Sequence, residues 1–255
     1  MVIKSLKKIY TFLIFCFLYA PIIILIVFSF NDSKSRGVWS GFTLRWYVEL
    51  FRDPAILKAL YYTILVAILA SLISTIIGTF AALGIHNMPG LSKKIVLNLN
   101  YLPVLNPDIV TAVSLMALYR FLKIEFGFTT MLLSHITFCI PYVVLSVLPK
   151  LKQMNIHLAE AAMDLGATPF YALRKVVIPE IMPGIITGGL MAFTLSIDDF
   201  VISFFNTGNG VSNLSIEIFA MSRRGINPTI NALSTLMFIS LLILLLIINK
   251  RTEKN

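Results

Sequence analysis

Three aspartates lie in long apolar stretches of this chain, where an ionised side chain is costly. Asp108 is in one stretch, and Asp198 and Asp199 are adjacent in another. A carboxylate near the centre of a bilayer costs about 2.5 to 3.5 kcal/mol on insertion scales, so it is tolerated where it faces protein or water. Three carboxylates of one sign predict a pathway that favours a cationic solute over an anionic or neutral one.

Each of these acidic positions also has a structural explanation. Pro103 and Pro107 interrupt one apolar stretch, so a helix cap at the break explains Asp108 as well as a pathway does. For Asp198 and Asp199 the alternative is an ion pair with a neighbouring span. No Lys or Arg lies in the interior of a predicted span to supply that partner, which favours a pathway or a subunit contact for this pair.

The depth of the acidic residues follows from helix geometry. If both stretches start at the cytoplasmic surface, Asp108 and Asp198 each lie roughly 20 Å along a helix that rises 1.5 Å per residue. The sequence therefore predicts that both carboxylates lie at one level. Adjacent residues of a helix point about 100° apart, so we expect only one of Asp198 and Asp199 to face the pathway.

Histidine and cysteine offer little chemistry in this sequence. His135 stands alone in an apolar stretch, where a histidine is more often an interhelical hydrogen-bonding group than a metal ligand. Cys16 and Cys139 also lie in apolar stretches, without a second ligand at metal spacing. We interpret both cysteines as structural thiols and predict no metal site.

The composition indicates a membrane protein. Hydrophobic residues make up 58% of the 255 residues and charged residues only 13%, far from the balance of a soluble domain. The net charge of +9 is not gathered into a basic stripe with interleaved aromatic residues, so nucleic acid is excluded as a partner. The positive residues flank the apolar runs instead, as membrane anchors do.

About 20 apolar residues cross a bilayer as a helix, and six stretches reach that length. We predict an all-α polytopic membrane protein with one transmembrane domain, residues 1–255. The first stretch follows three lysines but is long for a signal peptide and lacks a convincing cleavage site. The third and fifth stretches contain polar interruptions. The six predicted spans are residues 9–30, 57–85, 95–119, 127–148, 182–205 and 230–249.

The distribution of Lys and Arg predicts that both termini are cytoplasmic. An even number of spans places the two termini on one side, and the basic flanks of that side include the second and fourth loops. The first loop, on the opposite side, also carries basic residues, including Lys34 and Arg36, which nearby acids partly offset. The basic residues of the cytoplasmic flanks are Lys4, Lys7, Lys8, Lys93, Lys94, Lys150, Lys152, Arg174, Lys175, Lys250, Arg251 and Lys254.

The polar loop at about 150–180 has the pattern of a helix, a turn and a second helix. Gly166 is placed to end the first helix, and Thr168 with Pro169 is placed to begin the second. The spacing of the apolar residues before Gly166 predicts one face of an amphipathic helix. Those apolar residues are Leu151, Met154, Leu158, Ala162 and Leu165.

The first helix of this loop has the properties of a docking surface. The small residues Ala161, Ala162 and Gly166 allow another backbone to approach closely. The carboxylates of Glu160 and Asp164 are placed to meet basic groups of a partner. The alternative from amphipathicity alone is a helix that only lies on the membrane surface.

The full spacing of the loop resembles that of permease subunits of ABC importers. Glu-Ala-Ala at 160–162 is followed after three residues by Gly166, and after nine more by Val-Val-Ile-Pro at 176–179. The resemblance implies the type I permease fold of ABC importers. It also implies that Glu160, Ala161, Ala162 and Gly166 belong to a coupling helix, which fits a cleft of the ATPase subunit.

A longer similarity indicates the substrate class. Residues 107–110, 134–139 and 193–199 resemble the permeases of spermidine and putrescine importers. That resemblance implies a bacterial inner-membrane complex containing a second homologous permease subunit, a dimer of ATPase subunits and a periplasmic polyamine-binding protein. The chain lacks a GxxxxGK[ST] loop, so ATP and Mg²⁺ are expected on the ATPase partner and no cofactor on this chain.

Three other functions use the same residues. The chain could serve an ABC importer for another small solute, or act as a passive cation channel or proton-coupled carrier without an ATPase. Asp108, Asp198 and His135 are also ionisable groups of the kind found in intramembrane proteases or metalloenzymes, although an HExxH signature is missing. Dependence of uptake on ATP distinguishes an importer from the channel, the carrier and the enzyme.

Overall fold

A computed structural model describes residues 2–33, 38–155, 157–224 and 228–252. The chain forms two compact units, one of Met1–Leu57 with Glu217–Leu246 and the other of Lys58–Ile216 with Ile247–Asn255. The single domain stays a prediction. Of the basic residues used for orientation, Lys34, Arg36 and Lys254 lie outside the described residues.

The described residues are helical apart from loops and one isolated antiparallel bridge between Asn31 and Phe42. A π-helical segment, Leu173–Val177, joins the eighth helix to the ninth. The helices in chain order are α1 (Val2–Phe28), α2 (Arg45–Arg52), α3 (Pro54–Asn87), α4 (Gly90–Leu105), α5 (Asp108–Phe121), α6 (Phe128–Gln153), α7 (Leu158–Asp164), α8 (Pro169–Ala172), α9 (Ile178–Asp198), α10 (Val201–Asn206), α11 (Leu214–Arg223) and α12 (Pro228–Thr252).

Each predicted span coincides with one long helix or with two consecutive helices. Among the described residues, four helical stretches are long and apolar enough to cross a membrane: Lys7–Phe28, Pro54–Asn87, Phe128–Gln153 and Pro169–Asp198. The sixth predicted span falls in α12, whose apolar stretch within the described part is Pro228–Ile243. The all-α polytopic fold predicted from the sequence is therefore confirmed.

The third span is broken where the sequence predicts an interruption. Helices α4 and α5 meet at 106°, because Pro107 has no backbone N–H and pushes Asn106 into extended geometry, with ψ 148°. Asp108 is then the first residue of α5. The prediction that Asp108 lies about 20 Å along one continuous helix is wrong because the axis turns just before it, and its equal depth with Asp198 stays a prediction.

The core of the second unit is the contact between α6 and α9. Gly184, Gly188, Ala192 and Ser196 recur every fourth residue of α9 and are all buried. Such a row of small residues lets two membrane helices approach closely. A Cβ on Gly184 would lie 2.9 Å from the Ser146 carbonyl oxygen of α6, so this approach leaves no room for a side chain.

Two adjacent glycines in an apolar stretch predict a site of close packing or bending, and Gly188 and Gly189 of α9 both lie at tight contacts. A Cβ on Gly188 would lie 3.1 Å from Cα of Val143 in α6, and one on Gly189 would lie 2.9 Å from Oγ1 of Thr75 in α3. The two glycines therefore face different helices. The close-packing interpretation of this pair is confirmed.

Replacing Gly184 with alanine is expected to destabilise the chain by about 1–3 kcal/mol, because the added methyl group overpacks against backbone that cannot rotate away. Gly84 in α3 is the control, since a Cβ there has no atom within 4 Å. Gly84→Ala is expected to be neutral or stabilising, because glycine inside a helix costs roughly 0.5–1 kcal/mol relative to alanine. Thermal unfolding in detergent measures both, and equal shifts would contradict the packing argument.

Candidate functional site

Asp199 ends one helix and begins the next. Helix α9 stops at Asp198, and Asp199 is extended, with φ −65° and ψ 129°. The Asp199 carboxylate accepts the backbone N–H groups of Ile202 at 3.0 Å and Ser203 at 2.7 Å, at the start of α10. It therefore caps α10. The prediction that Asp198 and Asp199 share one helix and point 100° apart is wrong because this cap ends the helix between them.

His135 joins α6 to both sides of this corner. Its Nδ1 lies 2.7 Å from Ser196 Oγ in α9, and its Nε2 lies 2.8 Å from Ser203 Oγ in α10. Nε2 is also 3.5 Å from Asp199 Oδ2. The ring is 1% exposed. The prediction of an interhelical hydrogen-bonding histidine is confirmed, and within the described part of the chain no group of side chains could hold a metal ion.

The protons of this cluster can be assigned from hydrogen-bonding capacity. The Ser203 hydroxyl donates its single proton to the Asp199 carboxylate at 2.9 Å and accepts from Asn213 Nδ2 at 2.7 Å. Its remaining lone pair must accept from His135, so Nε2 carries the ring proton. Nδ1 is then the acceptor for the Ser196 hydroxyl. Every bonding position of the Ser203 hydroxyl is occupied.

The cluster of His135, Ser203 and Asp199 contains the residue types of a hydrolase triad but not its arrangement. In a triad the acid binds the histidine nitrogen opposite the serine, and the other nitrogen accepts the serine proton. Here the acid accepts that proton directly, and Nε2 donates to Ser203 Oγ. Ser203 is fully buried. The cluster therefore holds structure together and has no nucleophile.

Hydrogen bonds from three polar side chains help to fix α10 in place. Asn206 is fully buried, and its Nδ2 donates to the Ala112 carbonyl of α5 at 3.1 Å. The Thr130 hydroxyl of α6 donates to the Asn206 carbonyl at 2.8 Å. Asn213 Nδ2 also donates to the Asp199 carbonyl at 2.9 Å. These partners were not predicted from the sequence, although serine, asparagine and aspartate recurring within one short apolar segment are a usable signal.

Asp198 and Asp108 are the exposed acids of the three. Asp198 is the last residue of α9, and its carboxylate forms no hydrogen bond or ion pair with the described residues. Asp108 follows Pro107, which occupies the N-cap position of α5 without a side-chain bond. Asp108 therefore interacts with the helix dipole rather than capping the helix. No hydrogen bond among the described residues joins Asp108 to the other two acids.

The 150–180 loop has the predicted helix, turn and helix. Helix α7 ends in a Schellman motif, in which Gly166 N–H donates to the Met163 carbonyl at 2.9 Å and Ala167 N–H to the Ala162 carbonyl at 3.1 Å. Gly166 has φ +88°, which glycine adopts without strain. The Thr168 hydroxyl then accepts the Tyr171 N–H at 3.3 Å and caps α8.

The single amphipathic helix predicted from Leu151 to Leu165 is wrong. Leu151 belongs to α6, which ends at Gln153, and α7 begins only at Leu158. The Asn155 side chain accepts the His157 N–H at 3.0 Å, a local turn that competes with helix. The apolar spacing therefore runs across two helices with different environments, and Leu165 is exposed although Leu151 is buried.

The tip of this loop is apolar and unusually exposed. Leu165 is 91% exposed, Phe170 71% and Tyr171 56%, and we call these three residues the loop tip. Exposed apolar groups of this size mark interaction sites. In the same loop, the exposed Glu160 carboxylate lies 3.0 Å from His157 Nδ1. The sequence predicted a docking surface at Glu160, Ala161, Ala162, Asp164 and Gly166 but not at Phe170 and Tyr171, which directly follow the Thr-Pro helix start.

The fold is that of the membrane subunit of an ABC importer. One chain in the crystal structure of a bacterial ABC transporter involved in the import of the acidic polysaccharide alginate superposes with a TM-score of 0.76. The match covers 99% of this chain and 95% of that one at 17% sequence identity. At that identity the likeness concerns the fold and not the solute.

The chain belongs to the family of binding-protein-dependent transport system inner membrane components, which matches residues 74–254. It is 39% identical over 233 residues to the spermidine/putrescine transport system permease protein PotC of Escherichia coli strain K12, covering 91% of this chain and 88% of the relative. It is 40% identical over 234 residues to the putrescine transport system permease protein PotI of that strain, covering 87% and 82%. The chain is therefore an inner-membrane transport subunit, and ATP hydrolysis belongs to a separate subunit.

Proposed function

We propose that this chain is one permease subunit of an ATP-driven importer for polyamines such as spermidine and putrescine. The observation that carries the substrate class is the identity of 39% to PotC and 40% to PotI over most of their lengths. Both of those relatives are named for transport of putrescine. Polyamines are flexible multivalent cations, so a pathway for them requires carboxylates that lack an internal partner.

Asp198 is the proposed contact for the cation, with Asp108 as a second acidic group of the pathway. Support comes from the exposure of both residues and from the absence of a bonded partner for the Asp198 carboxylate within the described residues. The Asp199 side chain is 6% exposed and caps α10, so its proposed contribution is to hold Asp198 at the corner. Attraction to the cation must stay weak enough for release.

The 150–180 loop is the proposed contact with the ATPase, through Glu160, Ala161, Ala162, Asp164 and Gly166 together with the loop tip. A further support for coupling is the continuity of Pro169–Asp198, 30 helical residues that lead from this loop to the acidic corner. A π-helical segment lies within that stretch, and such segments are frequent at functional sites. Motion of the loop can therefore move Asp198 through one helical body.

The assembly that fits this proposal has four kinds of component. A second homologous permease subunit completes the pore, two ATPase subunits hold ATP and Mg²⁺, and a periplasmic protein delivers the polyamine. No cofactor binds to this chain. Both termini are cytoplasmic, on the side of the ATPase. The spans alternate between outward and inward access as the ATPase subunits close and open.

Asp198→Asn is expected to reduce ATP-dependent uptake of radiolabelled spermidine and putrescine while the complex still assembles. Loss of about 1.4 kcal/mol of attraction raises the apparent KM about tenfold. Asp53→Asn is the matched control, because Asp53 is also exposed but lies at the end of α2. Unchanged uptake in Asp198→Asn and Asp108→Asn contradicts the pathway assignment. Uptake that needs no ATP favours a passive channel or a proton-coupled carrier. ATP-dependent uptake of sulfate in place of polyamines favours an importer for another solute.

A further inference from the structure

Helix α2 is held against the end of α1 by its buried face. Trp46 and Leu50 are 2% and 3% exposed. Trp46 Nε1 donates to the Asn31 carbonyl at 2.8 Å, and the Tyr47 hydroxyl lies 2.7 Å from Ser29 Oγ. Because Ser29 and Asn31 directly follow α1, these bonds hold α2 at the point where α1 ends.

The length of α1 sets the depth of that point in a membrane. The apolar stretch Lys7–Phe28 has 22 residues and therefore spans about 33 Å at 1.5 Å per residue. The hydrocarbon core of a bilayer is about 30 Å thick. Phe28 then lies at one boundary of the core, and α2 lies in the headgroup region just beyond it. Only Asp53 separates α2 from the start of α3, so the chain returns to a span at once.

One exposed face of α2 is charged. Arg45, Glu49 and Arg52 recur at helical spacing and are exposed. The Arg45 guanidinium lies 3.3 Å from the Glu49 carboxylate and 3.4 Å from that of Asp32. These groups are satisfied in water, so this face is suited to the aqueous side of the headgroups.

The other exposed face of α2 is apolar. Three apolar residues, each one position before a charged residue, recur at the same spacing. They are Leu44, Val48 and Phe51, which are 54%, 47% and 55% exposed. They lie about 100° around the helix from the charged residues. Trp39 and Phe42, in the segment before α2, are 53% and 70% exposed. Aromatic residues are enriched at the level of the lipid headgroups.

We infer that α2 lies in the plane of the bilayer surface, with Leu44, Val48 and Phe51 inserted among the lipid chains at the headgroup boundary. A helix with one apolar face and one charged face binds there by burying the first and leaving the second in water. The occupant of this surface is therefore lipid and not another protein. The contact fixes the depth of the loop between the first two spans, and it does not depend on the identity of the solute.

Spin labels on two adjacent residues test this inference. Val48→Cys and Glu49→Cys are made separately in the full chain with Cys16→Ser, since Cys16 is exposed and Cys139 is buried. The labelled chain is reconstituted with its partner subunits in lipid nanodiscs. Collision of each nitroxide with molecular oxygen, which concentrates in lipid, is compared with collision with a water-soluble nickel chelate.

A label at position 48 is expected to collide mainly with oxygen, and a label at position 49 mainly with the chelate. Addition of the periplasmic binding protein should leave position 48 unchanged. Three results overturn the inference: chelate access at position 48 equal to that at 49, protection of position 48 from both reagents by a neighbouring subunit, or protection that appears only when the binding protein is added.

Discussion

His135→Leu is expected to destabilise the chain by about 3 kcal/mol or more and to abolish most transport. The leucine fills the space of the ring but leaves the Ser196 hydroxyl without its acceptor and the Ser203 hydroxyl without one of its donors. Each buried polar group that loses a partner costs about 1–3 kcal/mol. The corner that presents Asp198 then loses its histidine link to α6, so uptake should fall by a larger factor than the amount of folded protein.

Thr137→Val is the matched control for that substitution. Thr137 lies two residues further along α6, is exposed, and donates only to the Leu133 carbonyl of its own helix at 2.8 Å. Its replacement should change the unfolding temperature little. A double-mutant cycle of His135→Leu with Ser203→Ala should be strongly non-additive, because the two residues share one cluster. Additive effects would show that His135 and Ser203 are not coupled.

Leu165→Glu is expected to weaken binding of the ATPase subunit without unfolding the permease. The side chain is 91% exposed and therefore contributes little to the fold of the isolated chain. Central apolar residues of an interface commonly cost 2 kcal/mol or more when lost, which is about a 30-fold change in affinity. An added carboxylate in an apolar contact also incurs a desolvation cost.

Leu91→Glu is the control for Leu165→Glu. Leu91 is 75% exposed and lies at the start of α4, outside the 150–180 loop. Co-purification of the ATPase with the permease and substrate-stimulated ATP hydrolysis measure both variants. Two results contradict the assignment of the loop tip as the docking surface. One is that Leu165→Glu binds the ATPase with wild-type affinity, and the other is that Leu91→Glu loses as much ATPase binding as Leu165→Glu.

Several features of this fold could be predicted because their causes are local in sequence. Gly166 reverses the chain through a conformation that only glycine adopts cheaply, and Thr168 with Pro169 starts the next helix wherever it occurs. Pro107 breaks a helix without help from other segments. The lengths of the apolar runs depend on the bilayer alone. In each case the residue and its nearest neighbours contain the whole physical reason.

The errors arose where a short turn divides a helical period and where distant segments decide the environment of a side chain. The spacing from Leu151 to Leu165 has the period of a helix, but the Asn155 turn divides it, and only packing reveals that Leu151 faces the core. The interpretation of Asp198 and Asp199 as helical neighbours failed for a similar reason. Their environments differ because His135, Ser203 and Asn213 gather around one of them and not the other.

The sequence by itself determined the class of protein, the helical membrane fold, the broken third span and the loop between α6 and α9, since hydropathy, proline and capping residues act over a few positions. Only the tertiary structure decided which carboxylate is buried and bonded and which is left exposed. The residues that contact Asp199 lie up to 64 positions away in the sequence, and the farthest of them is His135. Hydrogen bonds between helices depend on how those helices pack, and spacing along one chain does not contain that information.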